Sequence, residues 1–206
     1  MTSEKFHKLF GKPPRASESE LTQFHMDLAA SIQLVTEEVV IKIARSLRKE
    51  TGLNKLCLAG GVALNCVANG KLLREKIFDD IWIQPASGDS GSSLGAALIG
   101  WYEEFKSIRV INSNDSMKGA YLGSEFSNKD INDYLISIKV PFQNLNDKDL
   151  FEQIANYLNE GKVIGWFNGP MEFGPRALGG RSIIADPRNQ KMQSILNLKI
   201  KYRESF

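Results

Sequence analysis

Leu56-Cys57-Leu58-Ala59-Gly60-Gly61-Val62-Ala63-Leu64-Asn65-Cys66 decides how this chain folds. Its first residues are apolar and follow a turn signal at Gly52 to Asn54, so the run reads as a buried strand emptying into two glycines and then a helix. Gly60 and Gly61 remove the Cβ atoms that would keep a ligand from the backbone. The N–H groups opening the next helix point at the same place, a ready anion site. Asn65 lies about one helical turn further on, within reach of a bound group. A glycine pair serves close helix–strand packing equally well, and the spacing alone leaves both uses open.

A second unit of the same kind follows. Ile81-Trp82-Ile83 reads as a buried strand, Pro85 to Ser93 as a polar glycine loop, and Leu94 to Leu98 as the start of a small-residue helix. Two adjacent strand–loop–helix units place both loops at the carboxyl ends of neighbouring parallel strands, where α/β sheets bind ligands. Asp89, flanked by Gly88 and Gly91, could hold a metal ion there, or could simply form an Asx-turn or cap the helix.

Before these units, Leu21, Phe24, His25, Leu28, Ile32, Val35, Val39, Ile43 and Leu47 recur at three- and four-residue spacing. They predict one long amphipathic helix ending near Glu50, with Gly52 as its stop and Ser17 or Ser19 as its cap. His25 sits on the apolar stripe and is read as a satisfied histidine. Residues 1–17 read as a loop, 18–105 as the part carrying both glycine loops, and 106–124 as a polar extension with a short strand at 119–123. From 125 a second α/β unit begins: a helix from Ser127 to about Ile138, another capped by Asp147 and running to Leu158, a strand over Lys162–Phe167, another from Ser182 to Ala185 and a last helix over 190–198. Between those strands lies Asn168 to Ser182, a loop with four glycines, Glu172, Arg176 and Arg181. Arginine forks suit phosphate, carboxylate or carbamate, and a glycine-rich backbone lets such a group come close.

Composition limits the alternatives. Apolar residues make up 42% and charged residues 24% of 206, ordinary for a globular protein able to bury a core. A net charge of +2 supplies no basic field, so nucleic acid is not an expected partner. No apolar run approaches the roughly 20 residues of a membrane span. Cys57 and Cys66, without metal-ligand spacing, read as reduced core residues, and the expected location is the cytoplasm.

Three runs, AGGVALNCVANGKL (59–72), QPASGDSGSSLGAAL (84–98) and GPMEFGPRALGGRSIIADPR (169–188), together resemble the O-carbamoyltransferase family, which includes nodulation protein U and the carbamoyltransferases of antibiotic biosynthesis. The resemblance implies the second half of an actin/Hsp70-like (ASKHA) nucleotide-binding domain, related to the tRNA threonylcarbamoyladenosine enzyme, followed by the start of a YrdC-like α/β domain. It implies ATP and a divalent metal (iron or zinc, or Mg) as cofactors, carbamoyl phosphate as donor, and a carbamoyl-adenylate whose carbamoyl group passes to a hydroxyl of a small acceptor. Gly60, Gly61 and Asn65 then match the nucleotide-contacting turn, with Gly88 and Gly91 in the second loop, and Asp89 matches a metal-ligating aspartate. Arg176 and Arg181 fall where the family handles carbamoyl phosphate and are the candidate catalytic residues. The family's metal-binding histidine pair has no counterpart in His7 and His25, so the chain is expected to be an internal fragment without a complete active site. Other readings are an actin-like ATPase, the tRNA-modifying relative, or a non-catalytic domain that forms homo-oligomers.

Overall fold

A computed structural model describes residues 2–206 as an α/β chain built around two small sheets. Within the expected loop of residues 1–17 a short helix α1 (Glu4–Phe10) forms, capped by Ser3, and it precedes the long helix α2 (Gln23–Thr51), which ends on Gly52 in the left-handed conformation. Strand β1 (Lys55–Leu58) leads through a 3₁₀ turn (Gly61–Leu64) into α3 (Cys66–Arg74) and then β2 (Asp80–Ile83). The two strands pair in parallel, with Leu56 opposite Ile81 and Leu58 opposite Ile83. Helix α4 (Asp89–Ile99) follows and runs on as a π-helical turn over Gly100–Glu104. Helices α5 (Asn128–Ser137) and α6 (Asp147–Asn159) precede an antiparallel pair, β3 (Ile164–Phe167) with β4 (Arg181–Ile184). The short helix α7 (Met192–Ile195) and a π-helical turn (Leu196–Ile200) end the regular structure.

The core lies on one face of the first sheet. Leu56 of β1 packs with Ile41 and Ala44 of α2, Leu72 of α3 and Phe78, and Leu72 is only 1% exposed. Strand burial alternates, so Cys57 and Trp82 point outward. The strands are therefore half-buried, and Cys57 and Cys66 are both exposed rather than core residues.

Helix α2 departs from the expected orientation. Its docked face runs through Gln33, Glu37, Ile41 and Ala44, where Glu37 pairs with Lys71 at 3.2 Å and Gln33 meets Asn65 at 2.8 Å. The apolar stripe Ile32, Val35, Val39 and Ile43 points to solvent, with Ile43 62% exposed. Two apolar arcs share this helix, and the one flanked by polar partners for α3 wins the contact. The cap also differs: Thr22 starts the helix, and its backbone N–H donates to His25 Nδ1 at 3.1 Å, so His25 is a capping residue.

Residues 119–123 form no strand. A 3₁₀ turn (Lys118–Ala120) is followed by extended chain whose Gly123 N–H donates to the Met171 carbonyl at 2.8 Å, while Phe173 N–H donates to that of Ala120 at 2.7 Å. This part of the predicted extension thus lies against the loop between β3 and β4. The first and last segments also meet: Arg15 pairs with Glu204 and lies over the Phe206 ring, and Ser205 Oγ donates to the Glu18 carboxylate at 2.7 Å.

Candidate functional site

The turn after β1 and the loop after β2 are joined directly. Because the strands are parallel neighbours, Ala59–Gly61 and Gln84–Gly88 leave the sheet side by side, and the Gly60 N–H donates to the Ser87 carbonyl at 2.7 Å. Gly60 has φ +96° and ψ 161°, a conformation open essentially to glycine alone. Gly91, in the first turn of α4, is required for another reason: a Cβ there would collide with the Ala86 carbonyl oxygen. Gly61 and Gly88 meet nothing within 4 Å of an added Cβ. Two glycines therefore build the turns, and two leave space.

That space is a crevice of about 370 Å³ whose walls include Gly60, Gly61, Ser87, Gly88, Asp89 and Gly91. Five of the six candidate residues from the two glycine motifs thus line one cleft. Asn65 does not. It caps α3, accepting from the Ala68 N–H at 3.1 Å, and its amide donates to Gln33 of α2.

Ser87 was not singled out by its sequence. It is 5% exposed, and its hydroxyl is buried without a hydrogen-bond partner among the described residues. A buried unpartnered hydroxyl costs free energy, and here it sits in the wall of a cleft at the N-terminus of an eleven-residue helix. Together with the open glycines, this is a donor set that fits a phosphate. A metal fits less well. Asp89 is exposed and offers one carboxylate, and among the described residues no three His, Cys, Asp or Glu side chains converge. One carboxylate does not complete a coordination sphere.

The third motif reaches this cleft from the second unit. Gly174, at φ +134°, packs so closely that an added Cβ would stand 2.9 Å from the Pro85 carbonyl oxygen. Nearby, Arg176 Nη2 donates to the Leu64 carbonyl at 3.2 Å. Arg181 is used differently. Its guanidinium donates to the carbonyls of Gly169, Gly180 and Ser124 at 2.8–3.1 Å and covers the Phe167 ring 3.4 Å from its centroid. Neither arginine lines the crevice itself.

Glu172 organises the same loop. The Leu178 N–H donates to its carboxylate at 2.8 Å, that of Gly180 at 2.7 Å and that of Arg181 at 3.2 Å. These backbone donors, Leu178 first, pull its carboxyl down to about 2, against desolvation acting the other way. An acidic residue ahead of a glycine-rich return was the available signal, because such a turn leaves N–H groups without ladder partners.

Two parallel strand–loop–helix units flank a glycine-lined crevice, with an arginine-bearing loop seated on them, the arrangement of an α/β protein. The chain belongs to the carbamoyltransferase family: residues 1–98 match its carbamoyltransferase N-terminus and residues 155–206 its carbamoyltransferase C-terminus. An uncharacterized protein of Synechocystis sp. is 57% identical over 208 residues, covering 100% of this chain and 34% of that protein. Nodulation protein NolO of Bradyrhizobium diazoefficiens is 42% identical over 186 residues, with 90% and 33% covered. Nodulation protein U of Rhizobium tropici is 32% identical over 194 residues, with 93% and 30% covered. The chain thus spans about a third of the length of the curated relatives it matches. No helix among the described residues is long and apolar enough to cross a membrane.

Proposed function

We propose that this chain is the nucleotide-binding and donor-handling segment of an ATP-dependent O-carbamoyltransferase. In this reading carbamoyl phosphate, water and ATP give a carbamoyl-adenylate with release of phosphate and pyrophosphate, and the carbamoyl group then passes to a hydroxyl of a small acceptor with release of AMP. The observation that carries the reading is the joining of three family motifs in one place: the Gly60 turn, the Ser87–Asp89 loop and the Gly174–Arg181 loop. Residues 18–105 then represent the second half of an actin/Hsp70-like domain, and residues from 125 the start of a YrdC-like one.

The roles follow from chemistry. Gly61 and Gly88 leave room for the phosphates of a nucleotide, and the first N–H groups of α4 and the Ser87 hydroxyl are their donors. An arginine fork of the 169–182 loop neutralises the oxyanion of the carbamoyl donor. A bound metal supplies charge that polarises phosphate oxygens. Asp89 would be one ligand to such a metal and could not hold it alone.

Calorimetric titration of the chain with ATP or ADP, with and without a divalent metal, tests this. Micromolar, metal-strengthened binding that Asp89→Ala reduces to the metal-free level is the expected result. Absence of nucleotide binding in both conditions would refute the assignment of the crevice. The exposed stripe of α2 supports a second reading, a segment whose apolar face drives self-association into homo-oligomers. Light scattering across a concentration series decides that point independently.

A further inference from the structure

The chain from Asn168 to Arg181 turns back on itself between β3 and β4, and its backbone groups leave the sheet ladder on the way. Two side chains collect them. Glu172 accepts the N–H donors of Leu178, Gly180 and Arg181. Arg181 serves the opposite set, donating to the carbonyls of Gly169, Gly180 and Ser124 while stacked on Phe167. The packing is tight, since a Cβ on Gly180 would stand 2.6 Å from the Pro170 carbonyl oxygen and 3.2 Å from the Glu172 carboxyl. By contrast, Arg176 is exposed and makes a single long bond to Leu64.

We propose that the two arginines divide the work: Arg181 and Glu172 are positioning residues that frame the loop, and Arg176 is the guanidinium that takes the oxyanion of the ligand. This rests on the reading of the loop as the donor-handling element. For Arg181 to bind an anion, it would have to leave its aromatic ring and three carbonyls, taking the charged donor from Gly169 and leaving Gly180 and Ser124 only the Asn168 and Met171 N–H groups. Arg176 gives up one 3.2 Å bond to do the same. The Gly174 contact with Pro85 anchors the loop two residues before Arg176, so the frame sets where that fork is presented. Lysine cannot replace Arg181, because an ammonium lacks the planar fork that reaches several carbonyls at once and stacks on a ring.

The test uses the 206-residue chain, inorganic phosphate and carbamoyl phosphate as probes, and amide hydrogen exchange as the second readout. Arg176→Ala should weaken phosphate binding by roughly tenfold or more, the scale of a lost charge-assisted pair, and leave the Leu178, Gly180 and Arg181 amides protected. Glu172→Gln and Arg181→Lys should expose those amides and, with Arg176 intact, also weaken the anion. Loss of binding in Arg181→Lys with the amides still protected would make Arg181 the ligand and overturn the division. Retained protection in Glu172→Gln would overturn the frame. If the unsubstituted chain takes no phosphate, the donor-handling reading and the role of Arg176 fall together, while the amide protection still decides the frame.

Discussion

The Gly60 N–H and the Ser87 carbonyl, 2.7 Å apart, tie together two loops that are 27 positions apart in the chain. The bond is possible only because β1 and β2 are parallel neighbours and Gly60 takes a backbone conformation closed to other residues. Everything that lines the crevice is referenced to this contact.

Gly60→Ala and Gly61→Ala should therefore part company. The first forces a Cβ into a strained conformation and should cost about 1–3 kcal/mol of stability. The second meets open space in the folded chain and should leave the melting temperature within about 2 °C while lowering nucleotide affinity. Thermal melts beside calorimetry separate the two. Equal losses of stability would mean that Gly61 also builds the turn.

Ser87→Ala should have opposite signs in its two readouts. Deleting a buried hydroxyl that lacks a partner should stabilise the ligand-free chain by up to about 1 kcal/mol. The same change removes a donor from the crevice wall and should weaken nucleotide. A destabilised variant with unchanged affinity would show that the hydroxyl is bonded within the fold.

Glu172 predicts an acid response. Its folded carboxyl titrates at about 2, below the ordinary 4.5, so its contribution to stability is fully present above pH 4.5 and is lost as pH falls from there toward 2. Denaturant midpoints measured down this range should drop more steeply for the parent chain than for Glu172→Gln. Parallel curves would assign the acid sensitivity to other carboxylates.

Ile43→Lys probes the outward stripe of α2. The position is 62% exposed and outside the core, so the fold should tolerate the charge. The concentration-dependent rise in mass should shrink or vanish. An unchanged oligomer would place the association surface elsewhere.

The two glycine loops were legible because their signals are local. Apolar runs ending in Gly60-Gly61 and in Gly88-Asp89-Ser90-Gly91 leave the backbone little freedom in where to turn, and parallel pairing then brings the loops together. The helix start at Ser127 was legible for the same reason, and Ser127 caps it by accepting from Asp130 N–H at 3.2 Å, whereas the cap expected at Asp147 falls one residue earlier, on Asn146. What could not be read depends on which of several surfaces docks. Helix α2 has two apolar arcs, and the Glu37–Lys71, Gln33–Asn65 and Arg45–Glu75 pairs select between them. The same choice draws Asn65 away from the crevice into the α2–α3 seam. Arg176 and Arg181 look alike in sequence, and their different surroundings come from Phe167 and Ser124, distant residues that no local pattern connects to them.

The meeting of Arg15 and Glu18 with Glu204 to Phe206 has a consequence for how the chain comes apart. Residues 106–117 between the units are exposed and irregular, with Ile108, Val110 and Ile111 almost bare, so a protease should nick there first. The cut would not free two halves. Strapped at their far ends and pressed together where Gly174 meets Pro85, the fragments should elute as one particle and separate only in denaturant.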